Sequence, residues 1–226
     1  MRYTTNETPD SVVLTPSVPA TATVIWLHGL GADGHDFVPI VPELRLPDSL
    51  AVRFVFPHAR VRPVTINNGY AMRAWYDIKA LALSGPEDEA GIRESENAIR
   101  GYMQRERDAG IAAAKIVIAG FSQGGAIALQ TALRYPQRLA GVMALSTYLP
   151  LRGTLAEEAA TANRDLPVLM CHGRQDPVVP MRLGEVSRDV LQQLGFAVEW
   201  CEYAMEHSVC AEEIAHIGRW LTHRLA

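Results

Sequence analysis

The chain has 226 residues, 48% of them hydrophobic and 20% charged, so it holds ample apolar material for a core and excludes wholesale disorder or a collagen-like fold. A formal charge of −4 gives no electrostatic reason to expect nucleic acid as a partner. No run of about 18 apolar residues is present and the first ten residues lack a signal-peptide core, which predicts a cytoplasmic protein without stable membrane insertion. The length fits one domain over 1–226.

In chain order, β-branched or apolar runs predict strands at 22–27, 51–56, 116–119, 141–145, 166–171 and 196–203. Most are unbroken rather than alternating, as in parallel strands buried on both faces. Helical patterns fall between them, over 91–110, 124–135, 180–195 and 208–224. Strands alternating with helices imply an α/β fold with a mostly parallel sheet. The irregular stretch from Pro57 to Glu89, rich in Pro, Asn, Gly and aromatic residues, reads as an ordered excursion over one end of that sheet. Cys171, Cys201 and Cys210 are odd in number and lack C-x-x-C spacing, so neither a disulfide framework nor a thiolate zinc site is suggested.

The strongest chemical signal is Gly120-Phe121-Ser122-Gln123-Gly124, a G-x-S-x-G between a predicted strand and a predicted helix. That context is a nucleophile elbow, which would project the Ser122 hydroxyl above the carboxyl end of the sheet. A serine hydroxyl needs an imidazole to take its proton and a carboxylate to fix the imidazole's tautomer. In this fold class they follow in the order Ser, acid, His. Of the histidines after Ser122, His216 and His223 lie within the last helical pattern and His172 ends a strand, so His207, in a loop, is the candidate base. Asp176 follows a buried strand at the elbow's end of the sheet and is the candidate acid, whereas Asp165 precedes that strand. The backbone amides of Gln123 and Leu30 are the candidate oxyanion hole. Leu30 lies in Gly29-Leu30-Gly31-Ala32-Asp33-Gly34, which also satisfies G-x-G-x-x-G. A dinucleotide site is opposed by Pro39 and Pro42 in the following segment and by the absence of a ribose-binding acid after the next strand. His28, Asp33, His35 and Asp36 are read as ordering this loop by hydrogen bonds rather than as a metal site. Leu30, Trp75 and Leu149 are candidate walls of an acyl pocket.

The same residues resemble the bacterial carboxylesterases and acyl-protein thioesterases of the phospholipase/carboxylesterase group of α/β hydrolases. The likeness runs from about Thr23 to the C-terminus, through His28-Gly29-Leu30-Gly31, Ala74-Trp75-Tyr76-Asp77-Ile78, the stretch from Glu87 to Ile92, Gly120 to Gly125, Leu145 to Leu151, Cys171-His172-Gly173, Asp176-Pro177 and His207-Ser208. It implies an α/β-hydrolase fold without a large lid domain. It also implies Ser122, Asp176 and His207 as triad, Leu30 and Gln123 as oxyanion hole, Trp75 beside the acyl pocket, no cofactor or metal, and frequent homodimers. The expected activity is hydrolysis of short- to medium-chain carboxylic esters through an acyl-enzyme on Ser122. The alternatives are an acyl-protein thioesterase or lysophospholipase using the same triad, and a non-catalytic binding module. Two residues depart from the pattern: Glu206, just before the candidate base and able to raise its pKa if close, and Arg73, where relatives tend to carry proline.

Overall fold

The computed structural model describes residues 3–80 and 85–226. Among them, ten strands form an eight-stranded sheet and a separate hairpin, in the α/β-hydrolase fold with no extra domain. The strands are β1 (Tyr3–Thr8), β2 (Ser11–Pro16), β3 (Ala22–Leu27), β4 (Val52–Pro57), β5 (Val61–Val64), β6 (Tyr70–Arg73), β7 (Ile116–Phe121), β8 (Gly141–Leu145), β9 (Val168–Gly173) and β10 (Val198–Tyr203). The helices are α1 (Glu89–Asp108), α2 (Gln123–Arg134), the single turn α3 (Leu155–Glu158), α4 (Met181–Gln193) and α5 (Ala211–Leu225). Sheet order is β1-β2-β4-β3-β7-β8-β9-β10, parallel from β4 to β10, with β1 and β2 joined antiparallel at one edge.

The six sequence-predicted strands and four helices are all present. The β1–β2 hairpin is additional: β1 reads Tyr-Thr-Thr-Asn-Glu-Thr, and its side chains are exposed beyond Tyr3, so no apolar run marks it. Parallel strands β3, β8 and β9 are buried throughout, which accounts for their unbroken apolar character. Alternate residues feed two cores. Ile25, Ile118 and Met170 pack with Met103 of α1, Ile127 of α2 and Leu191 of α4, whereas Val24, Trp26 and Leu169 pack with Ile217 and Leu221 of α5. Helix α1 starts where the Asp88 carboxylate accepts the Gly91 N–H at 3.2 Å, and Gly110 (φ +96°) follows its end.

Within the 57–89 excursion, β5 and β6 pair as a hairpin, and residues 81–84 lie outside the described residues. Because β3, β7, β9 and β10 run parallel, the segments after Leu27, Phe121, Gly173 and Tyr203 all emerge at one rim of the sheet.

Candidate active site

Ser122 caps α2 with φ 53° and ψ −121°, a backbone region that non-glycine residues rarely occupy. The turn is tight enough that a Cβ at Gly120 would lie 2.3 Å from the Gly124 carbonyl, and one at Gly124 would lie 2.4 Å from the Leu27 carbonyl oxygen. Glycine is therefore required at both positions. The Ser122 N–H donates to Leu145 O at 2.8 Å, and Ser122 O accepts from Thr147 Oγ1 at 2.6 Å, fixing the elbow to the strand beside it.

The loops after β9 and β10 bring the candidate acid and base together. Oδ2 of Asp176 accepts from His207 Nδ1 at 2.7 Å, while Oδ1 accepts the Val178 and Val179 N–H groups at 2.9 and 2.8 Å. With the Asp176 side chain fully buried and both oxygens engaged, the His207 ring is held with its proton on Nδ1 and Nε2 available. The ring lies 4.6 Å from that of Phe121. Strand-tip bonds lace the two loops: Arg174 N–H to Tyr203 O at 2.9 Å and Gln175 N–H to Met205 O at 3.1 Å. His172 is a neighbour that sequence reasoning set aside. Buried beside the acid, it donates from Nε2 to Val179 O at 2.8 Å, 3.6 Å from Asp176 Oδ2, and its pKa is lowered by burial.

Ser122 and His207 open into a cavity of about 390 Å³ whose wall includes Leu30, Ile66, Ile78, Phe121, Tyr148 and Val178. Gln123 also lines it, and among the described residues no Lys or Arg does. Asp36 stands on the rim with its carboxyl pKa raised by burial. Gln123 contributes more than a backbone amide: its side-chain Oε1 accepts from Trp75 N–H at 2.8 Å and its Nε2 donates to Tyr76 O at 2.7 Å.

Two expected pocket residues are placed elsewhere. Trp75 is buried, with its indole N–H donating to His28 O at 2.9 Å, and its carbonyl accepts from Ser95 Oγ. Leu149 is also buried, its N–H donating to Ser187 Oγ at 2.8 Å, so that the preceding residue, Tyr148, faces the cavity instead. The Tyr148 hydroxyl lies 2.7 Å from that of Tyr76, and burial pushes its pKa up to about 12.

The loop carrying Leu30 is ordered largely by buried groups. His28 is nearly inaccessible, and burial lowers its pKa to about 4. As a neutral ring it donates from Nδ1 to Gly29 O at 2.7 Å and accepts the Ala59 N–H at Nε2, 3.0 Å away. Arg73 holds the same loop by accepting the Gly31 N–H at its carbonyl, 2.9 Å away, and its guanidinium donates to Ala59 O at 2.8 Å. Asp33 bonds the backbone and ring of His35 at 2.8 and 3.0 Å, as a loop-ordering residue would. The Glu206 side chain is exposed and forms no ion pair with His207 among the described residues; its carbonyl accepts from Ser208 N–H at 2.9 Å.

Comparison with known proteins gives a consistent picture. The sequence profile described as Phospholipase/Carboxylesterase matches residues 8–224. The chain is 44% identical to acyl-protein thioesterase 1 of Neurospora crassa, covering 94% of this chain and 91% of that protein. It is 39% identical to acyl-protein thioesterase 1 of Gibberella zeae, covering 91% of each chain. The crystal structure of acyl-protein thioesterase 2 from Zea mays superposes with a TM-score of 0.86 at 31% identity, covering 96% of this chain and 99% of that one.

Proposed function

The chain belongs to the phospholipase/carboxylesterase family of α/β hydrolases, as a serine hydrolase of esters or thioesters, and from that premise we propose that it releases acyl groups from cysteine thioesters on proteins. The observation that carries this reading is the 44% identity over 94% of the chain to a relative named for that activity. The cavity supports it chemically, because an apolar wall without a cationic side chain suits an uncharged acyl chain.

In the proposed mechanism, His207 Nε2 takes the Ser122 Oγ proton as that oxygen attacks the acyl carbonyl carbon, and Asp176 stabilises the imidazolium formed. The developing oxyanion is held by the Leu30 and Gln123 amides, the latter at the positive end of α2. Collapse of the tetrahedral intermediate expels the cysteine sulfur, which takes the proton from His207. Water, activated by the same imidazole, then frees the acid and restores Ser122. A thiol of pKa about 8.5 leaves far more readily than an alcohol, so acylation by a thioester depends less on proton donation. Small carboxylic esters share the acyl-enzyme and are expected as secondary substrates.

The test is steady-state hydrolysis of an S-acylated cysteine peptide against the matching serine O-ester. A larger kcat/KM for the thioester, abolished by Ser122→Ala, is expected. Turnover of the O-ester with none of the thioester would overturn the proposed substrate class.

A further inference from the structure

A second cluster of reactive side chains lies on the face of β10 that packs against α5, away from the cavity. Glu199, Cys201 and Tyr203 occupy alternate positions on that strand and therefore share a face. His216, in the second turn of α5, meets them. Its Nε2 is 2.7 Å from Glu199 Oε1, and its Nδ1 is 2.9 Å from the Tyr203 hydroxyl. A Glu199 oxygen, Cys201 Sγ and a His216 ring nitrogen lie within 4.8 Å of one another. Among the described residues this is the only trio of His, Cys, Asp or Glu donors so close. None of the three lines the catalytic cavity.

We propose that Glu199, Cys201 and His216 bind a zinc ion, with water completing a tetrahedral site. Zinc bonds of about 2.0–2.3 Å place tetrahedral donors roughly 3.3–3.8 Å apart, so Glu199 Oε1 and His216 Nε2, now 2.7 Å apart, must part by about 0.6 Å to admit the ion. Glu199 has the freedom to do this, since its side chain is 46% exposed. One sulfur, one imidazole nitrogen and one carboxylate oxygen suit zinc, whereas magnesium and calcium require an oxygen cage.

Tyr203 fits the part of an outer partner to the histidine ligand. Without metal, a neutral His216 donates from Nε2 to Glu199 and accepts the Tyr203 hydroxyl proton at Nδ1. With metal, Nε2 binds the ion and Nδ1–H donates to the Tyr203 oxygen. A hydroxyl serves in either role, so the ring need not move to exchange tautomers.

The ion would join β10 to α5, the two elements from which the loop carrying His207 is suspended. Free zinc about a hundredfold above its dissociation constant should raise Tm by roughly 5–10 °C.

The experiment is titration of the chelator-stripped, reduced protein, with Co²⁺ followed by absorbance and with Zn²⁺ in competition with a chromophoric chelator. Expected are one equivalent of Co²⁺ with a thiolate-to-metal charge-transfer band, displacement by Zn²⁺, and tetrahedral visible bands. Cys201→Ser should abolish the charge-transfer band, His216→Gln should weaken zinc binding more than about tenfold, and Cys210→Ser should leave both unchanged. Metal-free melts of each variant establish that it is folded. Absence of stoichiometric binding overturns the proposal, as does binding without the thiolate band, retention of that band in Cys201→Ser, or unaltered affinity in His216→Gln.

Discussion

The Trp75 backbone N–H donates to the side chain of Gln123 at 2.8 Å, tying the residue beside Ser122 to a loop 48 positions earlier in the chain. The same side chain donates to Tyr76 O, so truncating it leaves a buried N–H and a buried carbonyl without partners. Gln123→Ala should therefore cost about 1–3 kcal/mol in stability, seen in urea unfolding, while keeping its backbone amide. Its kcat/KM should fall through loosening of the 74–78 segment, with Ile78 on the cavity wall. Unchanged unfolding would remove the clamp from this account.

Trp75 fastens the Leu30 loop through His28 O rather than lining the cavity. Trp75→Phe should lower kcat/KM by a similar factor for acetyl and octanoyl substrates, because the oxyanion loop is common to both. Tyr148 and Ile78 touch the cavity directly. Activity should rise up to about 4-fold per added methylene until that space is filled, and Ile78→Ala should move the limit to longer chains. A series of acyl esters read for each variant separates the two roles.

The Ser122 backbone stores strain that only its turn enforces. Ser122→Gly should be inactive yet more stable by about 1 kcal/mol, which for a chain of this size raises Tm by roughly 2–4 °C. Ser122→Ala should lose on the order of 10⁴-fold or more in kcat with little change in Tm. If Ser122→Gly melts below Ser122→Ala, the strain argument fails.

For the acid, Asp176→Asn can keep the bonds from Val178 and Val179 but presents an amide to His207, selecting the tautomer with Nε2 already protonated. A loss of about 10⁴-fold in kcat is expected. Asp165 pairs with Arg138 on the surface, so Asp165→Asn should leave turnover unaltered.

Glu213 of α5 is inaccessible, and burial raises its carboxyl pKa to about 8. Neither oxygen meets a well-aligned hydrogen-bond partner among the described residues. Because the folded-state pKa exceeds the unfolded value of 4.5, the folded chain retains this proton over that interval, and stability falls as pH rises from about 4.5 to about 8. Glu213→Gln should be more stable than the parent at pH 9, by about 2 kcal/mol or more, with the gap shrinking toward pH 4.5. Thermal melts across that range provide the check.

The elbow was legible because a strand, a glycine-framed serine and a helix stand adjacent in sequence, and chain order with loop position pointed to Asp176 and His207 as candidates, which lie 2.7 Å apart. What escaped depends on residues far apart in the chain. The indole of Trp75 and the nearby wall residues Ile78 and Tyr148 could be sorted only once the direction of each loop was known. His172 reads in sequence only as the end of a strand, and its bond to the Val179 carbonyl beside Asp176 appears once the following loop is placed. In the N-terminal hairpin β1 had no apolar run to announce it, since an exposed edge strand needs none, and the Val12-Val13-Leu14 run of β2 is too short to mark a strand by itself. Glu199, Cys201 and His216 lack any motif spacing because strand and helix bring them together.

That edge strand and β10 at the opposite rim also bear on solubility. Among the described residues each leaves one row of backbone groups without a strand neighbour, the geometry on which another chain can add a strand and begin an aggregate. The first rim presents Thr4, Thr5, Asn6 and Glu7 to solvent, and the second presents Glu199 and Glu202. An identical β10 arriving parallel and in register would bring Glu202 against Glu202, so like-charge repulsion guards that border. Neutralising Glu202 should lower the concentration at which the protein precipitates on warming, even where its melting temperature is unchanged.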